Sequence, residues 1–211
     1  HHPRATESAT KYFLTQATAS ALLLFSAAMN AWMTGEWTIM NMNSYTPTTI
    51  LTIALAIKLG IAPFHLWLPD VLQGLDMMTC LILSTWQKLA PMALLILTSH
   101  QLNTNLLTLM ALASAITGGW GALNQTQTRK IMAYSSIAHL GWMTLVISFA
   151  PGLALLNLMI YLLMTSSMFM MLMTLNATNM NKLSISWLKT PTLAASMMAG
   201  LLSLGGLPPL S

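Results

Sequence analysis

Ala54-Leu-Ala-Ile-Lys-Leu-Gly-Ile-Ala-Pro-Phe-His-Leu-Trp-Leu-Pro69 places a lysine, Lys58, about midway along an apolar stretch long enough to cross a bilayer. A charge at bilayer depth costs about 2.5–3.5 kcal/mol on insertion scales. Pro63 has no N–H to offer the carbonyl of Leu59, its ring crowds the same turn, and Gly60 loosens it. The stretch therefore predicts a membrane helix that breaks beside its lysine. Unwound backbone at that depth is tolerated where it lines a cavity, and broken helices of this kind mark ion sites in transporters. His65 falls two turns beyond Lys58, on the same face of a continued helix.

The composition agrees. Apolar residues make up 55% of the 211-residue chain and charged ones 6%, with a mean hydropathy of +0.67. A soluble domain carries roughly 25% charged residues, so lipid must cover most of this surface and the chain reads as a polytopic membrane protein. The net charge of +4 would suggest a nucleic-acid partner only if the basic residues clustered, and they do not. Cys80 stands alone, which excludes an internal disulfide and a CxxC metal site. The first apolar run is too long for a cleavable signal. The chain opens on His1-His2 rather than Met, which reads as a fragment cut at its N-terminus. Its 19 methionines exceed what core filling demands and point to the coding bias of an organelle genome.

Runs of about 20 apolar residues divide the chain into seven segments: Tyr12–Thr34, Thr49–Leu68, Met77–Ser99, Leu106–Ala122, Ile131–Phe149, Leu153–Leu175 and Leu193–Leu207. Gly35–Thr48 and Asn176–Thr192, rich in Asn, Ser, Thr and Pro, read as loops. If the segments alternate sides, Arg4, Lys11, Arg129, Lys130, Lys182 and Lys189 all fall on one face. The other face holds Glu36 and His100 and no Lys or Arg. That asymmetry is the positive-inside pattern, so the basic face should be the cytoplasm-equivalent side, the matrix in a mitochondrion.

A second lysine, Lys88, is centred in the third segment, within Ser84-Thr-Trp-Gln-Lys-Leu-Ala-Pro91. Its flexible four-carbon stem can swing between partners, and a desolvated lysine can load and release a proton. His139 falls near the middle of the fifth segment with Ser135 and Ser136 on the same helical face. Histidine titrates near physiological pH and suits a relay. For His139 a helix–helix hydrogen bond competes with a relay role, and for His65, near a segment end, a structural or gating role competes. Snorkelling does not explain Lys58 and Lys88, which sit far from both ends of their segments. Glu7, Glu36, Asp70 and Asp76 lie in loops or at segment ends, so no acid within a segment balances either lysine. The chain shows no Gly-rich phosphate loop, no cysteine cluster and no paired intramembrane histidines for haem. Metal and cofactor-binding residues are accordingly expected to be none.

Several stretches resemble one family: Lys11–Ser20, Lys58–Pro69, Thr85–Pro91, Leu123–Gln127, Arg129–Trp142 and Leu202–Ser211. The chain resembles the chain 2 family of vertebrate mitochondrial NADH–ubiquinone oxidoreductase, antiporter-like membrane subunits of respiratory complex I, over essentially its whole length. The resemblance implies an all-α fold of inverted five-helix repeats, each with a broken helix. The first would hold Lys58 and Pro63, and the second would begin at Gly205-Gly206. It implies that residues 1–211 form a single transmembrane domain truncated at both ends. A membrane glutamate that pairs with Lys58 would lie upstream of His1, and a further lysine would lie beyond Ser211. The implied function is proton translocation coupled to electron transfer from NADH to ubiquinone. Lys58 would pair with the glutamate, Lys88 would be the central relay, and His139 and His65 would be accessory members. NADH, FMN, iron–sulfur clusters and ubiquinone would be handled by other subunits. The partners would be other complex I membrane subunits, the lipid bilayer of the mitochondrial inner membrane, and protons as cargo. Two rival readings are a stand-alone cation/proton antiporter and a purely structural membrane subunit.

Overall fold

The computed structural model describes residues 3–42 and 44–204. The Gly205-Gly206 motif, read as the start of a second broken helix, lies outside the described residues. Among the described residues the order is α1 (Pro3–Thr34), α2 (Tyr45–Leu59), α3 (Trp67–Gly74), α4 (Met77–Leu97), α5 (Thr104–Ala122), α6 (Thr128–Ile147), α7 (Pro151–Leu175), α8 (Met180–Lys189) and α9 (Pro191–Leu204). By length and hydropathy α1, α4 and α7 can each cross a membrane, while α2 and Pro191–Leu201 are apolar but shorter. Helices α5 and α6 run 19 and 20 residues, about 30 Å each. Among the described residues the structure is all-α, as the sequence predicts, with apolar helices that suit a polytopic membrane protein.

The predicted break is present and falls one residue after Lys58. Helix α2 ends at Leu59, and Gly60 takes a left-handed conformation (φ 77°) that closes the last turn onto the Ala56 carbonyl at 2.9 Å. Ala62–Pro63 is a cis peptide, and the chain turns through Phe64 and His65 before α3 begins at Trp67. The Trp67 indole N–H donates to the Ile57 carbonyl at 3.1 Å, adding a second donor to a carbonyl that the Gly60 N–H reaches only at 3.3 Å. With 15 residues, α2 spans about 22 Å, short of the roughly 30 Å hydrocarbon core. The break and α3 complete the crossing.

Contacts at the two ends of the bundle fit the predicted alternation. At one end Lys11 pairs with Glu7 at 2.8 Å and Asp70 at 2.9 Å. The Arg129 guanidinium there donates to the Leu75 carbonyl, and Met180 N–H donates to Thr126 O at 3.0 Å. These bonds join the four stretches that carry the basic residues outside the segments. At the other end Met42 N–H donates to Gln101 Oε1 at 3.0 Å, and Asn103 donates to the Tyr45 hydroxyl at 3.2 Å.

Three boundaries differ from the sequence reading. Helix α1 starts at Pro3 rather than Tyr12, because its first turns are rich in Ala, Ser and Thr, helical without being apolar. Pro69–Asp76, read as a connection, is largely α3. Asn176–Thr192, read as a loop, contains α8; Leu183 and Ser186 are buried at helical spacing while Asn181, Lys182, Ser184 and Ile185 stay exposed. A single buried row on a polar ten-residue helix leaves little hydropathy signal.

Helices α5 and α6 form the most closely packed hairpin, and small residues permit it. A Cβ on Gly118 would lie 2.6 Å from the Ala138 backbone nitrogen, whereas one on Gly119 would meet nothing within 4 Å. Gly118→Val should therefore lower the thermal midpoint of the detergent-solubilised protein by an overpacking cost of about 1–3 kcal/mol, with Gly119→Ala near neutral. Equal midpoints in the two variants would refute this packing. Trp67→Phe removes the shorter of the two donors to the Ile57 carbonyl and leaves the Gly60 N–H at 3.3 Å, so it should cost about 0.5–1.5 kcal/mol, and speed amide exchange around residues 60–66, measured by mass spectrometry.

Candidate functional site

The buried apolar side chains form two clusters that meet across a polar layer. One cluster holds Leu51, Leu55, Leu59 and Ile61 from α2 and its end, Met92 and Leu95 from α4, Leu140 and Met143 from α6, and Leu158 from α7. The other holds Trp67, Leu68 and Val71 from α3, Cys80 and Leu83 from α4, Met132, Ala133 and Ile137 from α6, and Met168, Phe169 and Leu172 from α7. Along α4 the seam between them falls at Lys88, along α6 at His139, along α7 at Thr165, and between α2 and α3 at the break itself. Lys88 and His139 thus fall where the two clusters part, with Lys58 in the turn of α2 before the break.

Lys88 is buried at 3% exposure. Its ammonium donates to the Tyr161 hydroxyl at 3.0 Å and lies 5.0 Å from the centre of the same ring. The Tyr161 hydroxyl in turn donates to the Ser84 carbonyl at 3.3 Å, one turn before Lys88 on α4. The His139 ring, on α6, tilts against Tyr161 with centroids 5.6 Å apart. His139 Nδ1 lies 2.7 Å from the Ser135 carbonyl. A carbonyl can only accept, so Nδ1 carries a proton, and in the neutral ring Nε2 carries the lone pair.

Lys58 sits in the last turn of α2, half-buried. Lys58 and Lys88 line the same small cavity together with Tyr12, Gln16, Trp67 and Gln87. Its interior of about 10 Å³ has room for about one water molecule. The ion pairs among the described residues both belong to Lys11 at the bundle end, so neither membrane lysine has a carboxylate partner there. Among the described residues no cluster of His, Cys, Asp or Glu could hold a metal ion.

The structure therefore brings Lys58 and Lys88 to one cavity, and Lys88 and His139 to one tyrosine. It does not bring His65 to either. His65 lies in the break, two residues after Pro63 and outside the residues lining the cavity. Tyr161 is the site residue that sequence reasoning missed. Its signal was a phenol inside the long apolar helix α7, with Thr165 one turn on returning its hydroxyl to the Tyr161 carbonyl at 2.7 Å.

Comparison with known proteins fits this arrangement. Residues 1–211 match the family described as NADH:quinone oxidoreductase/Mrp antiporter, transmembrane. NADH-ubiquinone oxidoreductase chain 2 of Latimeria chalumnae is 60% identical over 211 residues, 100% of this chain and 61% of that protein. The Salmo salar protein of the same name is 60% identical over 210 residues, 60% of its length. This chain thus spans about three-fifths of the length of the curated relatives it matches. A chain of respiratory complex I from Thermus thermophilus superposes with a TM-score of 0.89 at 31% identity, over 99% of this chain and 50% of that one. A chain of the Mrp complex from Dietzia shares the fold, with a TM-score of 0.78 at 18% identity, over 98% of this chain and 43% of that one. The chain belongs to the NADH:quinone oxidoreductase/Mrp antiporter transmembrane family.

Proposed function

We propose that this chain is part of a membrane subunit of respiratory complex I and carries protons across the mitochondrial inner membrane as NADH is oxidised and ubiquinone reduced elsewhere in the complex. The observation that carries the reading is the placement of Lys58 and Lys88 on one small cavity inside the bundle. Similarity to curated complex I subunits at about 60% identity supports it.

The chemistry follows from the side chains. A lysine ammonium is a three-fold donor with no acceptor, so it passes a proton on only by losing one to a water or to a neighbour. Two ammoniums facing one confined cavity repel each other far more strongly than in water. Arrival of a proton on Lys58 therefore favours its departure from Lys88, and the room for about one water between them supplies the acceptor. In this reading Lys58 answers a glutamate of the longer protein, Lys88 is the central station, and His139 continues the path. His65 at the break acts as an accessory group whose setting changes if the break flexes.

NADH, FMN, iron–sulfur clusters and ubiquinone are assigned here to other subunits. The described residues form a single transmembrane domain of the longer protein, packed among other membrane subunits and lipid. The end that carries Arg4, Lys11, Arg129 and Lys130 faces the matrix, following the positive-inside asymmetry.

Replacing Lys88 with Met keeps the length of the side chain and removes its charge. Protons pumped per NADH, read from a pH electrode or a quenching dye in sealed membranes, should fall several-fold while the complex assembles. Unchanged pumping in an assembled Lys88→Met complex would overturn the proposal. Ion exchange by the chain reconstituted alone, without NADH, would favour a stand-alone antiporter instead.

A further inference from the structure

We propose that Tyr161 is a positioning residue that latches the charged form of Lys88 onto α7, outside the cavity it shares with Lys58; this rests on the proton-translocating reading above. Lys88 borders that cavity, yet Tyr161 is not among the residues that line it. The Lys88 ammonium donates to the Tyr161 hydroxyl at 3.0 Å and lies 5.0 Å from the centre of its ring. Tyr161 is 2% exposed, on a helix that packs closely on α4. Lys88 is thus bonded to a buried group outside the cavity rather than to one across it.

The latch prefers the ammonium to the neutral amine. A carbonyl can only accept, so the Tyr161 O–H is committed to the Ser84 carbonyl at 3.3 Å and the phenol oxygen presents its lone pairs to Nζ. A hydrogen bond from a charged donor is roughly twice as strong as one from a neutral donor, and the ring face attracts a cation alone. The other groups around Lys88 do less for its charge. Lys58 of α2 and Tyr12 of α1 share the cavity, α3 adds the uncharged Trp67 and Leu68, and on α6 Ser136 and His139 face Tyr161. Lys58 repels a second ammonium, and no carboxylate pairs with Lys88 among the described residues. The phenol is the contact that favours a proton on Lys88.

Holding and releasing then become separate steps. While latched, Lys88 keeps its proton away from Lys58. Rotation of its unbranched stem frees Nζ from the phenol and brings it to the cavity, where the room for about one water supplies the acceptor. No covalent bond changes at Tyr161, whose O–H stays on Ser84 throughout. The phenol sets how tightly the proton is held and never carries it.

Tyr161→Phe removes the hydroxyl and keeps the ring. The hydroxyl favours the charged form, so without it Lys88 loses its proton at lower pH. In assembled complex I, in sealed membranes held at a series of pH values, the alkaline limb of protons pumped per NADH should move down by about one pH unit, with pumping restored towards the acid side. In a Lys88→Met background the same substitution should cause no further loss. An unmoved limb, an equal loss at every pH, or a further loss in that background would overturn the latch and leave the proton-translocating role standing. Full pumping in Lys88→Met would overturn that role itself. Should the phenylalanine chain fail to assemble, Tyr161→Gln and Tyr161→Leu carry the same test. The amide carbonyl can accept from an ammonium and leucine cannot, so the limb should lie at higher pH in the glutamine variant. Coincident limbs in that pair would overturn the latch.

Discussion

A lysine ammonium with 3% exposure, a phenol for a hydrogen-bond partner and no carboxylate partner among the described residues is the constraint around which this bundle is arranged. In lipid an unpaired polar group costs several kcal/mol, and an uncompensated charge costs more. The bundle meets that demand by interrupting its own core. Two apolar clusters stop short of each other, and the seam collects Lys88, Tyr161, His139, Ser136 and Thr165 from three helices. The break follows Lys58, and the Ile57 carbonyl beside it accepts from both the Gly60 N–H and the Trp67 indole. Within the layer Lys88 is answered by the Tyr161 hydroxyl, while Ser136, His139 and Thr165 each bond to a backbone carbonyl of their own helix.

That layer depends on how closely its walls approach. Helix α6 carries His139 and Ser136, and it is seated by α5 through contacts that leave no room for a Cβ at Gly118. Helix α7 then packs against both α4 and α6, so the Tyr161 ring lies between the lysine of one and the histidine of the other. The ends of the bundle are fastened by polar bonds between loops, with Arg129 on the Leu75 carbonyl at one end and Gln101 against Met40 and Met42 at the other. Tight small-residue packing holds the seam, and the polar bonds at the ends hold the helices in register.

Much of this was legible in the sequence, for local reasons. Lys58 and Lys88 stood out because a charge in an apolar run has few explanations, and the break could be placed because Gly60 and Pro63 act on their own turn. Tyr161 was visible only as a phenol in an apolar helix, and its partners were not legible. Helix α7 is apolar all round, so nothing in its pattern says which side meets α4. The cavity shared by the two lysines was also out of reach, because it is made by α1, α2, α3 and α4 together. His65 shows the converse: helical spacing placed it below Lys58, and the very break that the proline causes moved it off that face.

The central claim is that Lys58 and Lys88 are stations on one path rather than two independent charges. Residues that act as a unit lose function non-additively. Protons pumped per NADH should therefore be measured in assembled complexes carrying Lys58→Met, Lys88→Met and both. A single path predicts that the double variant pumps no less than the more impaired single variant. Losses that multiply in the double variant would contradict it.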